Sequence, residues 1–272
     1  MIKLTVNIPT LQHFNIPTKF KHVQRFSNKE HLITKRQIMK RISLTILSAI
    51  LFIAATLSAQ AQGNTENRQV SGFNSIGSGG PFEVHVKING TETLKLTADA
   101  NIINEIETIV EGGKLKIKFK KPHEWREHTG KIEVYITAKS LSELANAGSG
   151  SINVEGNLSG ENVRISLSGS GDITSSVKSG QLNASIAGSG SIHISGTAND
   201  VKVGIAGSGE MLGKNLKTGS ASVNITGSGN AYLAADKTIS ARIVGSGSVI
   251  YSGNATVGDS RTIGSGRITK AD

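Results

Sequence analysis

The densest group of reactive side chains in the 272-residue sequence is His123, Glu124, Trp125, Arg126, Glu127 and His128. Two imidazoles and two carboxylates in so short a stretch are a donor set for a divalent metal, and a tryptophan among them is a platform for a sugar ring. The spacing matches no standard metal-ligand set, however, and Pro122–Gly130 has the composition of a polar loop. Trp125, the only tryptophan, reads first as a ring that packs on Phe119 and caps a strand assembly, and second as a ligand contact. Beside it, Lys114, Lys116, Lys118 and Lys120 alternate with Leu115, Ile117 and Phe119, which gives one strand a basic face. Such a row is ordinarily solvated, but it also suits acidic glycans. Lys116, Lys118 and Trp125 are thus the candidate ligand contacts.

Catalytic groupings are not found. Asp172, Asp200, Asp236 and Asp259 are scattered, whereas polysaccharide cleavage needs clustered carboxylates. The absence of cysteine rules out thiolate chemistry and disulfides, and no Gly-x-Ser-x-Gly elbow stands between a strand and a helix. The sequence predicts a non-enzyme with no cofactor and no metal.

Glycine-rich loops that cradle phosphate are the remaining possibility. Gly-Ser-Gly occurs as Gly148-Ser149-Gly150, Gly169-Ser170-Gly171, Gly188-Ser189-Gly190, Gly207-Ser208-Gly209, Gly227-Ser228-Gly229, Gly245-Ser246-Gly247 and Gly264-Ser265-Gly266, at steps of 18 to 21 residues. A phosphate loop needs a helix after it and usually a Lys-Ser/Thr pair, and neither follows any triplet. A calcium ladder would put Asp at one repeat position. The residues after the triplets are instead Ser151, Asp172, Ser191, Glu210, Asn230, Ser248 and Arg267. The triplets therefore read as structural turns, and their serines as a possible hydroxyl ladder.

The elements that hold these turns follow from the flanking residues. Leu167, Ile186, Ile205, Ile225 and Ile243 stand two before a triplet; Ile152, Ile173, Ile192, Met211, Ala231, Val249 and Ile268 stand two after. Apolar residues alternate with Ser, Asn, Lys and Arg on both sides, the period of half-buried strands. A fixed repeat near 19 residues is too short for propeller blades and predicts an all-β solenoid of two sheets. Its coils would be spaced about 4.8 Å apart. Before the repeat, residues 73–147 read as an N-terminal β segment that caps the solenoid of 148–272. In it Phe82–Ile88 and Leu94–Leu96 read as a hairpin around Asn89-Gly90, and Asn101–Ile109 has room for a short helix.

Charge and the N-terminus bound the compartment. Residues 1–61 carry nine Lys and Arg against one Glu, so they supply most of the formal charge of +10. The rest is nearly neutral, which argues against a nucleic-acid partner. Lys40-Arg41, the apolar run 42–57 and Ala59-Gln60-Ala61 have the form of a cleaved signal peptide over 39–61. Residues 1–38 read as an over-extended gene start and 62–72 as a flexible mature N-terminus. An exported protein of the periplasm, outer-membrane surface or medium is expected, with no transmembrane helix after cleavage.

The signal peptide, the strands Phe82–Ile88, Leu94–Ala98 and Leu115–Phe119, and the train of Gly-Ser-Gly turns together resemble the putative auto-transporter adhesin, head GIN domain family over Phe73–Ile268. The resemblance implies a right-handed β-helix-like superhelix with the triplets as tight turns between two sheets, and a role in cell adhesion; a cell-surface glycan or matrix protein is the partner expected here. It supplies no binding residues. A pectin-lyase-like enzyme and an envelope scaffold that self-associates through its ends are the alternative expectations.

Overall fold

The computed structural model describes residues 64–121 and 130–271. The gene-start extension, the signal peptide and the His123–His128 cluster with Trp125 lie outside them.

Between successive triplets the chain is one extended run: β9 (Ser151–Gly169), β10 (Asp172–Gly188), β11 (Ser191–Gly207), β12 (Glu210–Gly227) and β13 (Asn230–Gly245). Each run lies parallel to the next, one repeat displaced, with Ile173 opposite Ile192 and Ile186 opposite Ile205. This is a β-solenoid of about seven turns. Only the Gly-Ser-Gly corner interrupts the strands. The opposite corner is a bend within each run, marked by register shifts at Thr174/Ser176, His193/Ser195 and Gly213/Lys217. Each coil thus contributes a post-corner and a pre-corner stretch to two strand stacks that face each other.

Alternation puts like on like in the core. Leu167, Ile186, Ile205, Ile225 and Ile243 form one buried column, and Ile152, Ile173, Ile192, Met211, Ala231 and Val249 form another. Burying each such side chain contributes on the order of 1.5–3 kcal/mol for the larger aliphatics.

The corner requires glycine twice, for different reasons. The first glycine has φ between +112° and +138° in all seven triplets, a region that L side chains avoid. The third glycine has no positive φ; it is buried in every triplet but the last, where Gly266 is half-buried, and the coil beneath it leaves no room for a Cβ. At Gly190 that atom would fall on the carbonyl oxygen of Gly171 and 2.8 Å from Leu167 Cδ2. The close approach lets two N–H groups donate to one oxygen: Ser189 and Gly190 both reach Gly169 O, at 3.0 and 3.1 Å, and Ser208 and Gly209 both reach Gly188 O, at 2.9 and 3.0 Å. The anticipated hydroxyl ladder does not form. The triplet serines are exposed and what stacks is their backbone N–H.

The N-terminal segment is woven into the coils and does more than cap them. It contains β1 (Asn64–Arg68), β2 (Ser75–Gly79), β3 (Glu83–Ile88), β4 (Thr93–Ala98), β5 (Ile106–Glu111), β6 (Lys114–Phe119), β7 (Glu133–Ala138) and β8 (Glu143–Gly148). β2 lies parallel between β6 and β8, and β3 parallel between β7 and β9. The β2–β3 coil is therefore inserted between β6–β7 and β8–β9, out of chain order. Its corner is Gly80-Pro81-Phe82, stacked beneath Gly148-Ser149-Gly150, with Ser151 N donating to Phe82 O at 2.9 Å. Phe82 replaces the third glycine and fills the coil interior, stacked on Phe119 at 5.2 Å. An eighth Gly-Ser-Gly, Gly77–Gly79, falls within β2 and makes no corner.

Three expectations are corrected. β3 and β4 do not pair as a hairpin. β7 enters between them, antiparallel to β4 and parallel to β3, and Asn89 and Gly90 donate instead to Ala138 O. The turn of Asn89–Glu92 is wide enough to admit it, and the apolar faces of all three strands then point inward. The helix over 101–109 shrinks to a 3-10 turn, Ile103–Glu105, because from Ile106 the chain pairs antiparallel with β6. Residues 62–72, expected to be flexible, carry β1, which is antiparallel to β4.

At the far end lie β14 (Ser248–Ser252), β15 (Thr256–Val257), β16 (Arg261–Ile263) and β17 (Arg267–Lys270). Here the columns that carry Ile243 and Tyr251 pass to Thr262 and Lys270, and Ser260 Oγ accepts from Ala241 N at 3.1 Å. The last coil is thus polar where earlier coils are apolar, a terminal cap of the kind open repeats need.

Candidate functional site

In-register stacking lines up the outward side chains as strictly as the inward ones. On the outer face of the post-corner stack, one row runs Lys95, Tyr135, His85, Asn153, Thr174, His193, Leu212, Tyr232, Ile250, Thr269. Adjacent members stand on neighbouring strands about 4.8 Å apart. Aromatic and apolar groups at outward positions of a polar surface are the informative exception on a soluble protein.

The row is most structured at its N-terminal end. His85 and Tyr135 stack with ring centroids 5.0 Å apart and planes 17° from parallel, and Lys95 Nζ lies 6.0 Å from the Tyr135 centroid. The Tyr135 hydroxyl donates to Glu133 Oε2 at 3.2 Å. Its phenol is pushed above the ordinary value, first by partial burial and then by the Glu133 carboxylate, so it stays a donor. At the other end Lys214 Nζ lies 5.1 Å from the Tyr232 centroid.

Glu83, His85 and Glu133 present ligand atoms within 4.8 Å of one another. These are metal-compatible groups, but Lys131 already supplies the cation, with Nζ 2.8 Å from Glu83 and 4.0 Å from Glu133. The hydrogen bond and charge of Glu83 hold the Lys131 ammonium above its ordinary value, which ties it there. The cluster braces the base of Tyr135.

Two recesses open along the row. One, of about 930 Å³, is bordered by Asn67, Lys95, Tyr135, His85, Asn153 and Thr174. The other, of about 360 Å³, is bordered by Thr174, His193, Leu212 and Lys214. They meet at Thr174. The outer face of the pre-corner stack is different: the middle of its equivalent row is Ala145, Ser166, Ser185, Gly204 and Asn224, small side chains that border a recess of about 520 Å³ and carry no ring, before the row passes to Arg242 and Arg261.

The candidate contacts from the sequence lie elsewhere. Lys116 and Lys118 are paired across the β5–β6 hairpin with Glu111 at 2.6 Å and Glu107 at 3.2 Å, and Lys114 with Glu143 at 2.7 Å. The Glu111 carboxyl is held below its ordinary value, chiefly by the Lys116 hydrogen bond. The basic face is matched by carboxylates from its neighbours. Trp125 lies outside the described residues, and Phe119, expected beneath it, stacks on Phe82. The structure brings the triplets together as one column of corners. The outward row escaped notice because Lys95, Tyr135 and His85 become neighbours only through the non-sequential order of coils. Its repeat portion was visible as the third residue after each triplet, where His193, Leu212, Tyr232 and Ile250 break a polar pattern.

The sequence profile of the family described as "putative auto-transporter adhesin, head GIN domain" matches residues 72–255. Among curated proteins no relative is found. The fold is shared with a crystal structure of a putative adhesin from Bacteroides fragilis (24% identity, TM-score 0.69) and with one of a putative adhesin from Parabacteroides merdae (21%, 0.61). It is also similar to a putative lipid binding protein from Parabacteroides distasonis (26%, 0.64). Each alignment covers 78% of this chain and 98% of the other.

Proposed function

The chain belongs to the putative auto-transporter adhesin, head GIN domain family, and from that premise we propose that it is an exported, non-enzymatic adhesion module of the cell envelope. The outward row carries this reading. It gives a stiff repeating frame one face on which the Tyr135 and Tyr232 rings and the His85 and His193 imidazoles stand among amides and hydroxyls, and tyrosine is enriched where proteins recognise partners. The ion pairs around it, Lys131–Glu83 and Lys87–Glu155, favour recognition over acid–base turnover, because they neutralise the carboxylates nearest the recess. A lipid ligand, raised by the name of one relative, is disfavoured by the aliphatic columns that fill the interior. The basic strand face is a weaker candidate for contact, given its glutamate partners.

The purified protein is to be tested against panels of glycans and matrix proteins, and intact producing cells against external protease. Saturable binding to a panel member together with proteolytic release from cells supports the proposal. Cleavage of a polysaccharide into soluble products, or protection within intact cells, refutes it.

A further inference from the structure

We infer that the trough between His85 and His193 is a subsite for an uncharged pyranose residue of an extended glycan that lies along the solenoid axis. The inference deepens the adhesion reading and rests on it. The row supplies three parts of such a site. The first is a wall: His85 is backed by Tyr135, which is braced in turn by Glu133, so the imidazole face toward Asn153 belongs to a stack fixed from behind. The second is a floor: Asn153 and Thr174 follow in register, both exposed, with an amide and a hydroxyl whose side-chain atoms have no partner among the described residues. The third is an opposite wall at His193 and Leu212. His85 and His193 are three strand spacings apart, roughly 14 Å, which leaves room for a sugar ring and its glycosidic neighbours.

The chemistry of the trough selects among ligands. A pyranose presents C–H faces that pack on rings and hydroxyls that take both sides of hydrogen bonds, and the trough alternates those two kinds of surface. The carboxylates nearby are paired, in Lys87–Glu155 at 2.9 Å and Lys131–Glu83 at 2.8 Å, and the ammonium groups of Lys95 and Lys214 lie against the Tyr135 and Tyr232 rings at 6.0 and 5.1 Å, so the Asn153–Thr174 floor itself carries no charged side chain. Strand spacing along the row is constant, so a polymer with a regular sugar repeat can follow it, with Tyr232 and Lys214 as a second contact beyond Leu212.

The test measures binding of the full purified chain to cellohexaose, chitohexaose and mannohexaose as neutral probes and to hexagalacturonate as a charged one. Saturable binding of at least one neutral probe is expected, weakened about tenfold or more by His85→Ala and by Tyr135→Ala, in keeping with loss of one stacked ring. Asn153→Ala, at an exposed position whose amide has no partner among the described residues, should weaken it without lowering Tm. Asn224→Ala on the opposite face should leave it unchanged. Neutral binding that survives the His85, Tyr135 and Asn153 changes overturns the subsite. Binding of hexagalacturonate alone overturns the ligand class. If no sugar binds but a matrix protein does, the glycan inference fails while the adhesion reading stands; if external protease finds nothing on cells, the adhesion reading itself fails.

Discussion

Alanine placed at three glycines of one coil pair should have three different outcomes. At Gly190 the new Cβ meets the Gly171 carbonyl, so the two coils must part at the corner. The bonds at risk are Ser189 N and Gly190 N to Gly169 O, at 3.0 and 3.1 Å, and Ser191 N to Gly171 O, at 3.2 Å. At about 0.5–1.5 kcal/mol each, their loss or weakening predicts a cost of about 2–4 kcal/mol. At Gly188 the same clash with the coil below is joined by a φ of +130°, which adds on the order of 1–3 kcal/mol. At Gly204, on the outer face, no atom lies within 4 Å of the new Cβ and φ is not positive. Alanine there should be neutral or stabilise by up to ~1 kcal/mol through the unfolded chain. For a domain of this size the Gly190 cost corresponds to a Tm lower by roughly 4–16 °C, read by circular dichroism with urea melts as a check. Equal Tm values for the Gly190 and Gly204 variants would refute the close-approach argument. A loss at Gly188 with none at Gly190 would leave backbone conformation as the sole requirement.

Other outcomes follow from single contacts. Ser189→Ala should change stability by less than ~0.5 kcal/mol, since its hydroxyl is exposed and it is the N–H that stacks; a larger loss in the same melts would revive the hydroxyl ladder. Phe82→Ala should cost about 3–5 kcal/mol by emptying the β2–β3 coil beside Phe119, and a loss under ~1 kcal/mol would mean the site collapses freely. Glu92 is held below its ordinary value, first by the Lys139 hydrogen bond and also by N–H groups of Phe73 and Gly72. Its folded-state value lies below the unfolded one. The contact therefore contributes stability above the ordinary carboxylate range, near ~4.3, and that contribution disappears as pH falls through the folded value. Glu92→Gln should flatten the acid side of the stability–pH curve, and an unchanged curve would contradict this assignment. Thr262→Ile with Lys270→Leu should make the last coil adhesive and produce concentration-dependent oligomers in sedimentation; a strictly monomeric double variant would show that polarity of the end coil is not what limits stacking.

The repeat was legible because each of its signals is local. Ile186 is apolar, Ser185 polar and Gly188 permissive whatever coil lies next to them, and period two with a fixed return is enough to call a solenoid. The N-terminal segment was legible strand by strand but not in its pairing. Nothing within Phe82–Leu96 says that β7, some forty residues on, will separate β3 from β4. Asn89-Gly90 carries the dipeptide of a hairpin, and the apolar face of Val134 and Ile136 outcompeted it. The helical spacing of Ile102, Ile103 and Ile106 was overridden in the same way by pairing with β6. Gly77-Ser78-Gly79 shows the limit of motif counting, since it carries the corner sequence out of phase with any corner. The candidate face was legible only in its repeat portion: composition flagged Lys116 and Lys118, which lie elsewhere and whose glutamate partners come from another strand, while Tyr135 and His85 lie fifty residues apart in the chain and meet only when the coils are ordered.

The out-of-order β2–β3 coil also decides which edge of the stack is open to further parallel coils. Once β6–β7 has closed on one side of it, with β1, β4 and β5 antiparallel beyond, the open edge left for further parallel coils is the one β8 and β9 occupy. Beyond that edge each coil pairs with the one a repeat earlier, so its contacts span short sequence separations, whereas the β2–β3 coil is held by long-range ones. A chain shortened by whole coils from its C-terminal end keeps these long-range pairings, whereas one that lacks residues 75–88 has lost the strands that join β6 and β7 to β8 and β9.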